Sequence, residues 1–141
     1  RICMGSEDRG LSDSCRLLGA RTQNEVRSLL ENSDVFVAPC VPGADGNIDG
    51  LPTVILESMA VGTPVIATFV SGIPEVVING RTGVLVPPAS AGALAQALGD
   101  IASGRVPARD LARGARALIE ETYDSHVQAA RLASLEDEEE R

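Results

Sequence analysis

Apolar residues along this chain fall into short blocks separated by glycine and proline. Val35-Phe36-Val37-Ala38 stops at Pro39, Pro64-Val65-Ile66-Ala67 starts on a proline, and Val84-Leu85-Val86 runs into Pro87-Pro88. Runs this short with no polar face suit strands buried on both sides. Ser14 to Leu18 is expected to add a short strand ending at Gly19. Between the blocks, apolar residues recur at helical spacing. Thr22-x-x-Glu25 is a capping box, in which hydroxyl and carboxylate satisfy early helix amides, and Val26, Leu29 and Leu30 follow it. Pro52 suits a first helical turn, where its missing N–H is not needed. Ile55, Leu56, Met59 and Ala60 give that helix an apolar face, and Gly62 suits its stop. Leu94, Leu98 and Ile101 predict a further helix, as do Leu111, Ala115 and Leu118 after Gly104. Asp124 or Ser125 would cap a last one through Val127 and Ala130. Strands alternating with helices imply an α/β fold: a Rossmann-like parallel sheet flanked by helices, with right-handed crossovers. In such sheets ligands sit beyond the carboxyl ends of the strands.

Length and composition narrow the field. The 141 residues suffice for one domain with a core, and 44% are hydrophobic. Only Phe36, Phe69 and Tyr123 are aromatic, so Val, Ile, Leu and Ala must build that core, and stacking platforms for single-stranded nucleic acid are lacking. The net charge of −8 also argues against nucleic acid. Residues 136–141 hold five acids and one base, so the remaining chain carries −4. This acidic tail is expected to be a solvated end. All twelve basic residues are Arg, which excludes Schiff-base and Walker-lysine chemistry from this chain. Cys3, Cys15 and Cys40 show no paired spacing, which suits a reducing compartment. With no secretory signal and no apolar run of about 18 residues, a cytoplasmic protein is expected.

The most informative segment is Asp49-Gly50-Leu51-Pro52-Thr53-Val54-Ile55-Leu56-Glu57. It follows the loop after the 35–38 block and so should open onto the ligand edge. Gly50 permits close backbone approach. The helix start offers unpaired amides and a positive dipole end, which suit phosphate. Glu57 lies one turn after Thr53 and leans back toward the helix start, where Asp49 also stands. Two carboxylates would repel phosphate but would accept hydrogen bonds from hydroxyls beside it. A phosphate centre with hydroxyls on either side describes a nucleotide-sugar. On spacing alone, a solvated turn residue at 49 and a surface helix residue at 57 account for the pair equally well.

The stretch Val35 to Pro88 resembles the C-terminal domain of retaining glycosyltransferases of GT-B fold, family 4. The matching blocks are Asp49 to Ala60, then Gly62-Thr63-Pro64-Val65-Ile66-Ala67, then Ser71-Gly72-Ile73-Pro74-Glu75-Val76-Val77, then Asn79-Gly80-Arg81-Thr82-Gly83-Val84-Leu85-Val86-Pro87-Pro88. The resemblance implies a donor-binding domain that takes a nucleotide diphosphate sugar and passes the sugar to a glycan, lipid or small acceptor. By position, Asp49 and the amides of Gly50 and Leu51 would contact the donor sugar. The amides of Thr53 and Val54 would hold the diphosphate, and Glu57 the ribose hydroxyls. Asp49 stands where the family usually has the longer Glu. Ala20 and Arg21 would lie near the base. No side chain is assigned as catalytic, and neither a metal nor a cofactor is expected. The alternative is a non-catalytic nucleotide-sugar-binding module, or a nucleotide-sugar epimerase-like GT-B domain.

The family also uses an Arg/Lys pair from the loop after its first strand to neutralise the leaving diphosphate. No segment here matches that loop. Residues 1–135 are therefore expected to be part of the C-terminal GT-B domain, without its first strand–helix unit, and 136–141 its tail. The partners expected are the nucleotide-sugar donor and an N-terminal acceptor-binding domain outside this chain. Membrane association would come only through that domain, and the isolated chain is expected to be inactive. Asp45-x-Asn47-x-Asp49-Gly50 imitates a calcium loop, but its twelfth position is Leu56, where a bidentate Glu is needed. His126 is the only histidine, and with three dispersed cysteines it makes no zinc set. Gly72 to Glu75 reads as a turn feeding a short helix, and Gly80 and Gly83 read as turn residues.

Overall fold

The computed structural model describes residues 10, 13–43 and 50–123. Three parallel strands, β1 (Phe36–Ala38), β2 (Val65–Thr68) and β3 (Val84–Val86), pair in the order β1-β2-β3. The register sets Val37 beside Ile66, and Ala67 beside Leu85. All four residues of the central β2 are buried; the apolar run predicts this for Val65, Ile66 and Ala67, and the polar Thr68 extends the strand beyond it.

The sheet's two faces follow from the alternation of side chains along each strand. On one face Ala38, Val65 and Ala67 join Ile55, Met59, Ile73, Val76, Val77 and Ala115 in the larger core. On the other, Ile66 and Val86 pack with Ala97, and Val37 and Val84 add to them. The helices divide accordingly. Helix α1 (Gln23–Glu31) precedes β1, α2 (Thr53–Val61) links β1 to β2, and the short α3 (Ile73–Val76) lies between β2 and β3. Helices α4 (Ala91–Ala102) and α5 (Ala108–Leu118) follow, and a π-helical turn, Ile119–Tyr123, extends α5.

Local chemistry sets several of these boundaries. Thr22 caps α1 through the capping box that the sequence predicts. Gly62 ends α2 in the left-handed region, at φ 84°. Glu75 falls in the first turn of α3. Three expectations need correction or limits. Residues 14–18 form no strand: Ser14, Cys15, Arg16 and Leu17 are exposed, so the segment has no sheet to join. Leu98 is not an inward residue like Leu94 and Ile101. It is 37% exposed, and Ala97 is the buried residue of that helix. The helix expected after Asp124, His126, the tail and the calcium-like loop with Asp49 lie outside the described residues.

Three buried threonines tie the elements together. Thr63 donates to the Leu30 carbonyl at 2.7 Å, joining the α2–β2 turn to the end of α1. Thr68 donates to the Cys40 carbonyl at 2.6 Å across the carboxyl ends of β2 and β1. Thr82 accepts from the Ile78 amide at 2.7 Å and donates to the Val76 carbonyl at 2.5 Å. Among the described residues no helix is long and apolar enough to cross a membrane.

Candidate functional site

The loops that leave the carboxyl ends of β1 and β2 meet over the start of α2. A Cβ built on Gly72 would stand 3.6 Å from the Leu51 Cβ and 3.8 Å from its amide nitrogen. The loop after β2 therefore packs against the segment that delivers α2. Ser71 in that loop is held at φ 48°, a conformation that costs a residue with a side chain about 1–2 kcal/mol.

At the helix start, Pro52 supplies the cap position with an extended backbone and no side-chain hydrogen bond. Gly50 and Thr53 are exposed, and Leu51 and Val54 are half-buried. The first turn of α2 thus presents its amides at the carboxyl edge of the sheet with no capping side chain competing for them. Four of the six site residues expected from the sequence stand together here. Asp49 lies outside the described residues.

Glu57 stands apart, one turn further along. Its half-buried side chain lines a cavity of about 440 Å3 between helices. Gln23, Asn24 and Arg27 of α1 form one wall, Glu57 and Ala60 of α2 another, and Arg116 of α5 closes the third side. Arg27 Nε donates to Glu31 at 2.8 Å and Arg116 Nε to Glu120 at 2.9 Å, exposed pairs within one helical segment that leave the other guanidinium N–H groups free of those acids. Among the described residues nothing pairs with the Glu57 carboxylate. No local sequence pattern announces this cavity. Its nearest signal was the capping box, which fixes where the polar first turn of α1 begins.

That capping box also governs the electrostatics beside the cavity. The Glu25 carboxyl is held below its ordinary range, first by the Thr22 amide at 2.8 Å, then by the Thr22 hydroxyl and by Arg21. Glu25 is thereby fixed to the cap.

A three-stranded parallel sheet with helices packed on both faces makes this a Rossmann-like α/β domain. The chain belongs to the group 1 glycosyl transferases, whose family model matches residues 4–103. It is 34% identical over 128 residues to the amylovoran biosynthesis glycosyltransferase AmsK of Erwinia amylovora, covering 91% of this chain and 31% of AmsK. It is 35% identical over 104 residues to the GDP-mannose-dependent alpha-(1-6)-phosphatidylinositol monomannoside mannosyltransferase of Mycolicibacterium smegmatis, covering 73% of this chain and 27% of that enzyme. Sucrose-phosphate synthase from Thermosynechococcus elongatus superposes with a TM-score of 0.80 at 28% identity, over 94% of this chain and 32% of the synthase. The chain spans about a third of the length of the relatives it matches.

Proposed function

We propose that this chain is the donor-binding part of a retaining glycosyltransferase that moves a sugar from a nucleotide diphosphate sugar to a glycan, lipid or small acceptor. The amides of Thr53 and Val54 hold the diphosphate. Asp49 and the amides of Gly50 and Leu51 contact the donor sugar, and Glu57 accepts the ribose hydroxyls. The observation that carries this reading is the pairing of an α2 start without a side-chain cap with a Glu57 that has no partner among the described residues, one turn beyond it. A relative that depends on GDP-mannose supports a nucleotide-sugar as the donor class.

In this reading the leaving diphosphate is stabilised by positioned amides, since negative charge grows there as the glycosidic bond breaks. The acceptor attacks from the same face, and a diphosphate oxygen takes its proton. No protein nucleophile and no metal are assigned. An N-terminal domain outside this chain binds the acceptor, and this chain alone binds the donor without transferring it. The free thiols of Cys15 and Cys40 suit a reaction in the cytoplasm.

The test is a binding screen of UDP-, GDP- and ADP-sugars with the parent chain, Glu57→Ala and Asp49→Ala. Losing a hydrogen bond to a charged group costs about 1.5–3 kcal/mol, so Glu57→Ala should weaken every nucleotide roughly tenfold or more. Asp49→Ala should weaken nucleotide-sugars more than free nucleotides. Unchanged binding in both variants refutes the assignment.

A further inference from the structure

We propose that the underside of the domain, where the strands begin, joins two copies of this chain about a two-fold axis. Leu98 is the starting observation. It keeps helical spacing with Leu94 and Ile101, yet those two pack toward the sheet and Leu98 stays 37% exposed. It lines a hollow of about 660 Å3 at the amino ends of β1 and β2, opposite the edge that carries the start of α2. Val35, Pro64 and Ile101 add half-buried apolar walls. A Cβ built on Gly62, which also lines the hollow, would meet nothing within 4 Å, so the space there is open. Two charged side chains complete the lining: Asp34, just before β1, and Arg109, in the first turn of α5. Both are exposed, and neither has a partner among the described residues.

An apolar centre with charged groups around it is the anatomy of a protein contact. The charges decide the partner. About a two-fold axis a surface meets itself, so a residue that touches a second one is touched by that second one's copy in return. One acid and one base beside the same hollow then give two identical pairs, Asp34 of each copy with Arg109 of the other. A partner of a single sign would satisfy one of these side chains and be repelled by the other. The charges around the hollow also balance. Asp100 pairs with Arg105 and Asp110 with Arg113, so with Asp34 and Arg109 there are three acids and three bases, in a chain whose net charge is −8. Self-association is therefore not opposed at this face as it would be over an acidic one. A hollow also needs something to fill it, and the exposed Leu98 of the partner copy can enter beside Gly62, removing apolar surface from water on both sides. Two strand ends and parts of α4 and α5 make a small interface, so the dimer forms weakly and depends on concentration. It leaves the start of α2 open and stands apart from the donor-site reading.

Sedimentation equilibrium of the chain from micromolar to millimolar concentration tests this, with Leu98→Glu, Asp34→Arg and Arg109→Asp beside the parent. All three positions are exposed, so each variant should melt close to the parent. The mass of the parent should rise from monomer toward dimer with concentration. Leu98→Glu sets a charge in the apolar contact and should weaken association roughly tenfold or more. Asp34→Arg turns base to base across the axis and Arg109→Asp turns acid to acid, and each should weaken self-association by roughly tenfold or more. Mixed together, these two variants should associate better than either alone, because every pair across the axis is again of opposite sign. Mixing cannot restore a contact made within one chain, so this result separates the dimer from an internal ion pair. A parent that stays monomeric at every concentration would overturn the proposal. A dimer indifferent to the three substitutions, or two charge variants that stay weak when mixed, would overturn it as well.

Discussion

Replacing Thr82 by Val exchanges a hydroxyl for a methyl of nearly the same size at a position only 1% exposed. The hydroxyl has two jobs. It accepts from the Ile78 amide at 2.7 Å and donates to the Val76 carbonyl at 2.5 Å. It thereby holds the end of α3 against the turn that launches β3. In Thr82→Val the part-buried Ile78 N–H loses its acceptor, at a cost of about 1–3 kcal/mol. The Val76 carbonyl loses a donor as well. Burial of the new methyl offsets about 0.8 kcal/mol, which leaves a net loss of about 2 kcal/mol. For a domain of this size that is a fall in Tm of about 8 °C. Thr82→Ser keeps both hydrogen bonds and deletes one methyl, for about 1 kcal/mol. Thermal and urea denaturation of the three proteins should therefore rank parent, then Ser, then Val. A Val variant as stable as the Ser variant would show that the hydroxyl's two bonds do not hold this turn.

Gly83→Ala should be severe, because the new Cβ would lie 2.7 Å from Val77 Cγ1 and 2.8 Å from the Val65 carbonyl oxygen. The valine methyl has room to rotate but the oxygen of a central strand does not move cheaply, so a loss of about 2 kcal/mol or more is expected; an unchanged urea midpoint refutes it. Ser71→Gly should stabilise by about 0.5 kcal/mol, since relief of the φ 48° strain exceeds the added chain entropy of glycine; a lower Tm would contradict this. Glu25 has its folded pKa lowered, so its contribution is present above the ordinary value of 4.5 and is lost as pH falls through the lower, folded value. The Tm gap between parent and Glu25→Gln should thus be full near neutral pH and shrink below about pH 4.5; a gap independent of pH would refute the linkage. Thr22→Ala removes the hydroxyl cap and should cost about 1 kcal/mol by the same melts.

The parts of the molecule legible in the sequence are those fixed by neighbours in the chain. Thr22 and Glu25 build their cap within one turn, and Pro52 and Gly62 bracket α2 by backbone chemistry alone. The start of α2 was legible as a candidate site for the same reason. Misreadings arise where a distant partner decides. Ser14 to Leu18 pairs with no strand among the described residues, and Ser14, Cys15, Arg16 and Leu17 are exposed. Leu98 keeps helical spacing with Leu94, yet Ala97 is the residue that faces the sheet. Thr63 and Thr68 read as ordinary residues near strand ends, because their carbonyl partners are 33 and 28 positions away. The cavity beside Glu57 takes its walls from three helices, and no local pattern announces a space between elements.

The direction in which Glu57 points follows from what its helix buries. Ile55, Ser58 and Met59 are the fully buried residues of α2, at spacing i, i+3, i+4, and they turn one stripe of the helix to the sheet. Glu57, Ala60 and Val61 repeat the same spacing two residues later, about 200° around the helix, and all three line the cavity. The carboxylate is thus aimed by the core behind it. The Ser58 hydroxyl fixes the far end of the helix, donating to the Thr63 carbonyl at 3.4 Å, and Thr63 in turn holds the end of α1. Helices α1 and α2, the two walls that carry Gln23, Asn24 and Glu57, are therefore locked at the end opposite their N-termini. Their first turns differ: α1 begins in the Thr22–Glu25 capping box, whereas α2 begins at Pro52 with no side-chain cap. Packing fixes one end of the pair, and at the other end it is α2 whose first amides have no side-chain cap.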